Sequence, residues 1–373
     1  MKIEAITVRS VRVPYRRNHT LSFGPQSYAS STIVTLHTDA GIDGYGEANV
    51  LGGPFWSYES TASIEAICTH YLAPAITGMD PRSPALVGDV MRRAVNGNPF
   101  ARAAVEMACF DIAGKAAGVP VNRLLGGARR DSVDMIWSLA DGDPQKEVDE
   151  AIDIHETHGI GIFKVKTGHK PPEEDLARLK ILSDALGDRF QLRPDANQGW
   201  DEMTCMRMMP ALRDMGIYLL EQPVPRDNLA GMTRLRAMGI LPIMADEAAM
   251  SPEDVSNIIR VGGADIFALK VAKAGGILPT LQSAQIAAAA GLQCYMGCMM
   301  ETGLGVSAYL HACAAAPDMR YGAALPGPLL MTTSILKDEI TYRDGKVLVP
   351  DGPGLGVTPD WDVIGDLAPV YDA

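Results

Sequence analysis

Between residues 130 and 300 the chain alternates short apolar runs with longer stretches whose apolar residues recur every three or four positions. The short runs occupy 161–166, 190–195, 217–221, 242–246 and 265–270, and the helical stretches after them occupy 173–186, 203–215, 229–238, 252–261 and 278–290. Strand, turn and helix repeated at this length predict parallel strands joined by right-handed crossovers. An open doubly wound sheet would carry a glycine-rich dinucleotide fingerprint after its first strand. This chain has none, so a closed α/β barrel is the better reading.

The first 125 or so residues have another pattern. Residues 3–14 and 31–37 read as strands, and Asp39-Ala-Gly-Ile-Asp-Gly supplies a hairpin turn between Leu36 and Gly46. Residues 100–117 read as a helix with Val105, Cys109, Ile112 and Ala116 at helical spacing, closed by Gly118-Val-Pro. Strands and then helices make an α+β unit. The tail from residue 321 loses the repeat and is rich in Pro, Gly and Asp. The predicted division is an α+β capping domain over 1–126, a barrel over 127–324, and a segment over 325–373 that packs back on the cap.

Composition narrows the function. The 373 residues are 47% hydrophobic and 21% charged, as in an ordinary globular enzyme. A net charge of −12 argues against nucleic acid, which favours a basic face, and leaves any anion site dependent on local cations. Residues 274–300 carry no charge but are interrupted by Gly, Pro and Gln, so they read as an interior helix and a strand, not a membrane span. The opening residues alternate like a strand and lack the apolar core of a signal peptide. A cytoplasmic protein with reduced, mostly buried thiols is expected. Cys294 and Cys298 are four apart, but no second pair completes a zinc site.

The informative residues stand where the apolar runs end: Lys164 and Lys166, then Asp195, Glu221, Asp246 and Lys270, with Glu301 later. Steps of 29, 26, 25 and 24 residues separate Lys166, Asp195, Glu221, Asp246 and Lys270. Each barrel unit therefore delivers one ionisable side chain to the same rim, the mouth where barrel active sites are built. Three carboxylates side by side would raise one another's pKa, and a hard divalent cation removes that conflict. All-oxygen ligation selects Mg2+ or Mn2+ over zinc. Structural salt bridges with the lysines are the competing reading for any one acid alone. Lys164 and Lys166, two apart on a strand, point to one face, and a lysine beside a cation and a second lysine is suited to general-base work. Lys270 would approach a bound substrate from the other side. Asn197 could donate near the metal or cap a loop, and Lys273 reads as solvent-exposed or ion-paired.

At these residues the sequence resembles the enolase superfamily, and within it the muconate lactonizing subgroup. The likeness is carried by FKVKTG at 163–168, RPDANQGWDE at 193–202, LLEQPVPRDN at 219–228, PIMADE at 242–247, FALKVAKAGG at 267–276 and MMETGLG at 299–305. It continues through NGNPFARAAVE at 96–106 and LPGPLLMT at 325–332, nearly the whole chain in order. The resemblance implies a modified TIM barrel, (β/α)7β, with an α+β capping domain. It implies Mg2+ or Mn2+ on Asp195, Glu221 and Asp246; strand alternation alone leaves Asp246 and Glu247 open. It makes Lys166 the acid/base with Lys270 opposite, Lys164 a partner of the substrate carboxylate, and Glu301 an acid near the substrate. A small carboxylic acid, handled as in muconate cycloisomerisation, is the implied substrate, and a cytoplasmic homo-oligomer, dimer to octamer, the implied assembly.

The same residue set serves N-acylamino-acid racemases and o-succinylbenzoate synthases. The Asp-x-Asp of dipeptide epimerases is absent, because Met299-Met300 precede Glu301. Two segments, 15–28 and 50–59, are expected to cap the mouth and set specificity. They offer Arg16, Arg17, His19, Tyr28, Phe55 and Trp56 as substrate contacts, the cations for the distal carboxylate of a diacid. Phe23-Gly24-Pro25 and Phe55-Trp56 make this mouth more aromatic than a muconate enzyme leads one to expect. Other classes fit parts of the pattern: a Schiff-base aldolase on Lys270, or a non-catalytic relative kept for binding.

Overall fold

The apolar alternation at the start of the chain builds three antiparallel strands, β1 (Ile3–Leu21), β2 (Gly24–Thr38) and β3 (Gly44–Val50), in the order β1-β2-β3. The computed structural model describes residues 1–371. β1 and β2 run past the expected ends at residues 14 and 31, and a register shift between Pro14 and His19 bends the long hairpin. Residues 15–28, expected as a loop, are thus mostly paired strand turning at Ser22-Phe23.

The helix Pro99–Ala117 packs across this sheet, starting on Pro99 and ending at Gly118 in the left-handed region (φ 68°). Contact with β3 is close enough to need glycine: a Cβ on Gly46 would stand 1.9 Å from the Ala104 carbonyl oxygen.

β4 (Ser132–Asp134) leads into seven parallel strands: β5 (Ile136–Leu139), β6 (Ile162–Lys166), β7 (Gln191–Asp195), β8 (Leu220–Glu221), β9 (Ile243–Ala245), β10 (Ile266–Leu269) and β11 (Gln293–Met296). Residues 322–324 close the ring as an eighth stave. Ala323 bridges Met135 on one side and Met296 on the other, and Ala324 N donates to Met296 O at 2.9 Å. Helices alternate with the strands, among them Pro144–His158, Pro172–Leu186, Glu202–Asp214, Leu229–Ala237, Pro252–Val261, Ile277–Ala289 and Gly303–Ala315. Each of the five helices read from the sequence lies within about a residue of its expected limits.

The tail divides its contacts. β12 (Tyr342–Arg343) and β13 (Lys346–Leu348) add a hairpin to β4, at the base of the barrel. Other tail residues reach the cap, where Pro369 bridges Val11 and Met331 bridges Tyr15. Among the described residues no helix is long and apolar enough to cross a membrane.

Candidate active site

Parallel register sets the site. Lys166 pairs with Asp195 and Asp195 with Glu221, so three strand ends align at one level of the rim. Asp246 and Lys270 are the residues just after β9 and β10. All five are buried, as are Lys164, Glu247 and Lys273.

The acids and lysines form one hydrogen-bonded cluster. Lys164 Nζ lies 2.6 Å from Glu221 Oε1 and 3.3 Å from Asp195 Oδ2. Lys166 Nζ lies 2.7 Å from Asp195 Oδ2 and 3.0 Å from Asn197 Oδ1. Across the mouth, Lys270 Nζ lies 2.7 Å from Asp246 Oδ2, and Lys273 Nζ lies 2.7 Å from Asp246 Oδ1 and 2.6 Å from its carbonyl oxygen. Lys166 is on the second stave and Lys270 comes just after the sixth of eight, so the two ammonium groups face each other across the barrel axis.

Burial works against every charge here, and the partners decide the balance. Burial pulls Lys164 down, but Glu221, Tyr295 and Asp195 outweigh it and leave its pKa well above the usual value. Lys270 is likewise raised, by Asp246 and Glu247 against burial. Burial raises Asp195 and Asp246, yet Lys166 and Lys164 in the first case and Lys270 and Lys273 in the second bring both below the carboxylate range. Glu221 and Glu247 go the other way: burial and the neighbouring aspartates raise both, Glu247 to about 7.

The cluster has more carboxylate than its lysines satisfy. Glu221 Oε2 and Glu247 Oε2 are buried without a hydrogen-bond partner, and unpaired buried anionic oxygens are costly. Oxygen atoms crowded in this way suit a hard divalent cation. As the side chains stand, no group of three His, Cys, Asp or Glu among the described residues is arranged to hold an ion; the lysine ammonium groups occupy the carboxylate oxygens instead. Asn197 adds a bridge, with Nδ2 donating to Glu247 Oε1 at 3.0 Å. Glu247 is thus part of the same cluster as Asp246.

Above the cluster is a closed cavity of about 20 Å3, lined among others by His19, Leu21, Leu51, Trp56, Lys164, Lys166, Lys270 and Met300. It has room for about one water and, as the side chains stand, none for an organic substrate. A larger cleft of about 770 Å3, lined by Arg16, Arg17, Trp137 and Glu150 among others, opens elsewhere and holds none of Lys164, Lys166 and Lys270.

Residues 2–126 match the mandelate racemase / muconate lactonizing enzyme N-terminal domain, and residues 146–363 match the enolase C-terminal domain-like family. A chloromuconate cycloisomerase of Pseudomonas sp. (strain P51) is 38% identical over 364 residues, 98% of either chain. Muconate cycloisomerase 1 of Pseudomonas putida is 38% identical over 359 residues, 96% of either chain. The crystal structure of muconate lactonizing enzyme from Pseudomonas fluorescens complexed with muconolactone superposes with TM-score 0.95 at 38% identity, covering 97% of this chain and 98% of that one. The 2-chloromuconate cycloisomerase of Rhodococcus opacus 1CP does so with TM-score 0.96 at 31% identity over 100% of both. The chain belongs to the enolase superfamily, in its muconate lactonizing group. It is an enzyme with the (β/α)7β barrel and capping sheet of that superfamily, whose members generally depend on a divalent metal.

Within this superfamily enzyme, the structure sorts the capping residues differently from the sequence. His19 and Trp56 line the cavity; Trp56 is 5% exposed and its ring centroid is 3.9 Å from Lys270 Nζ, a cation–π contact. Arg16 does not reach it, since its Nε donates to Leu329 O at 3.2 Å. Arg17 turns outward to Glu150, 2.6 Å away, and over the Trp137 ring. Tyr28 lies under the Arg12 guanidinium, and Phe55, 63% exposed, packs on Phe23 outside the cavity. The reason is strand geometry: His19 and Leu21 lie in the regularly paired end of the hairpin, opposite Gln26 and Gly24, and their spacing of two puts both on the cavity face. Residues 15–18 fall in the irregular stretch between Pro14 and His19, where Arg17 is drawn off by Glu150.

Glu301, expected near the substrate, does not line the cavity. Both of its oxygens accept from Met299 N, at 3.0 and 2.9 Å, and it lies behind the wall made by Cys298 and Met300, with burial raising its pKa to about 7. Lys273, allowed as solvent-exposed, is 2% exposed and ion-paired. The short helix Val271–Ala274 turns it back under Asp246. Sequence reading missed Gln222, whose Oε1 accepts from Asp246 N at 2.9 Å and Ala248 N at 3.1 Å and so fixes the acidic turn. Its place one residue after Glu221 was the available signal.

Proposed function

We propose that this enzyme interconverts a cis,cis-muconate-type diacid and its lactone by moving a proton at the carbon beside one carboxylate. The observation that carries the reading is the pair Lys166 and Lys270, both lining one small cavity and each hydrogen-bonded to a strand-end acid, Asp195 and Asp246. Asp195, Glu221 and Asp246 would hold Mg2+ or Mn2+, which supplies Lewis-acid stabilisation of negative charge on the substrate carboxylate.

The protein's own groups account for the rest. Lys164, held beside Glu221, is a fixed positive charge for the reacting carboxylate. In ring closure one carboxylate oxygen adds to the double bond, and the electron pair moves to the carbon next to the other carboxylate. Lys166 delivers a proton there, and in ring opening its free amine takes that proton back as the ring oxygen leaves. Asp195 and Asn197, both hydrogen-bonded to Lys166 Nζ, aim it. Lys270 covers the other face, held by Asp246 and the Trp56 ring. The small cavity limits the access of bulk water that would otherwise protonate the carbanion. A cytoplasmic homo-oligomer belongs to the same reading.

Loss of diene absorbance of cis,cis-muconate on mixing with enzyme and Mg2+ or Mn2+ tests this. Chelation with EDTA should abolish the activity and metal restore it. Full turnover in EDTA, or none with any muconate or chloromuconate, refutes the reading.

A further inference from the structure

One wall of the small cavity is made by Cys298 and Met300, in the loop between β11 and the helix Gly303–Ala315. Met300 stands in the left-handed region (φ 61°), which is unfavourable for a residue with a Cβ, so the surrounding structure must impose it. The groups that grip this loop come from the capping sheet.

Glu47 and Asn49 are two apart on β3, on the face opposite Gly46, which packs on the helix Pro99–Ala117. Glu47 accepts from Thr302 N at 3.0 Å, Thr302 Oγ1 at 2.7 Å and Gly305 N at 2.7 Å, a carboxylate at the start of the helix Gly303–Ala315. The approach is close: a Cβ on Gly305 would stand 2.9 Å from Glu47 Oε2. That fixes the far end of the loop. Asn49 acts on Met300 itself, its Nδ2 donating to the Met300 carbonyl. Asn49 is fully buried, and its Oδ1 has no hydrogen-bond partner. An unpaired buried oxygen costs stability, so Asn49 is a poor stabiliser whose one side-chain hydrogen bond among the described residues fixes Met300.

We propose that Asn49 is a positioning residue of the active site: from the capping sheet it holds the loop that places Met300 on the cavity wall, and so governs substrate binding without touching the substrate. The inference rests on the reaction proposed above, but the loop and the reaction are read separately. Enzyme labelled with 13C on its methionine methyl groups reports Met300 by NMR, the signal being assigned by its loss in Met300→Gly. Asn49→Leu, close to asparagine in size but without a donor, should shift or broaden that signal and leave the urea midpoint near that of wild type. It should raise KM for cis,cis-muconate about 10-fold, the scale of one hydrogen bond, with kcat changed less than about 3-fold. In Met300→Gly, which takes this φ without strain and has no side chain to place, Asn49→Leu should add less than about 2-fold to KM. Asn49→Ala takes the place of Asn49→Leu if the latter fails to fold.

An unchanged Met300 signal overturns the proposal. So does a lowered urea midpoint with KM unchanged, the mark of a structural role, or an Asn49→Leu effect on KM that is just as large in Met300→Gly. A Met300 signal that depends on Asn49 in an enzyme that turns over no muconate keeps the grip on the loop and removes the reaction. Turnover with a signal and KM independent of Asn49 does the reverse.

Discussion

Arg178→Met removes a buried cation directly behind the reactive lysine. Arg178 is 3% exposed on the helix Pro172–Leu186, and its Nη1 stands 2.8 and 3.0 Å from the two oxygens of Glu147. Its Nη2 reaches Asp175 at 3.4 Å and also donates to the Lys166 carbonyl. One guanidinium thus joins the helices Pro144–His158 and Pro172–Leu186 to β6. Burial raises both Glu147 and Asp175, and Arg178 is the charge that opposes this. Methionine keeps most of the stem but strands two buried acids. Breaking a buried pair from one side costs about 3–5 kcal/mol, a large share of a total near 5–15 kcal/mol. Urea unfolding monitored by circular dichroism at pH 8 should show that loss. The deficit should shrink at pH 5, because the released carboxylates then take up protons instead of remaining charged. Glu147→Gln added to Arg178→Met should recover part of the stability, a positive coupling in a double-mutant cycle. A loss below about 1 kcal/mol at pH 8, or no coupling, refutes the assignment of this pair as a structural pin.

Two further outcomes concern the fold. His311 is buried between Asn122 and the Leu355 carbonyl, at 3.1 Å from each, and burial holds its pKa at about 4. A depressed histidine contributes stability above its unfolded pKa near 6.5 that is lost as pH falls toward 4, up to roughly 3 kcal/mol; His311→Gln should flatten the urea midpoint across that window. Gly46→Ala should destabilise by about 1–3 kcal/mol or more in the same assay, because its methyl group meets the Ala104 carbonyl oxygen at 1.9 Å and backbone cannot give way cheaply.

The barrel was legible because its signal is periodic and local. Apolar runs ended on charged residues, and the register of parallel strands then aligned Lys166, Asp195 and Glu221 without further information. What was not legible depends on side-chain direction. Arg16, Arg17 and His19 looked alike as cations on a loop, but pairing resumes only at His19, which lines the cavity, while Arg16 and Arg17 sit in the register irregularity before it. Glu301 folds onto its own backbone, with Met300 in the left-handed region (φ 61°), a conformation that no spacing rule reports. Lys273 is buried by a one-turn helix too short to leave a period.

The central claim is that Lys166 exchanges a proton at the carbon beside a carboxylate. It is tested most directly by converting cis,cis-muconate in D2O with Mg2+ and locating deuterium in the product by NMR. One deuterium at that carbon is expected with wild-type enzyme, and loss of incorporation and turnover in Lys166→Ala. Incorporation that persists in Lys166→Ala, or that disappears only in Lys270→Ala, would contradict it.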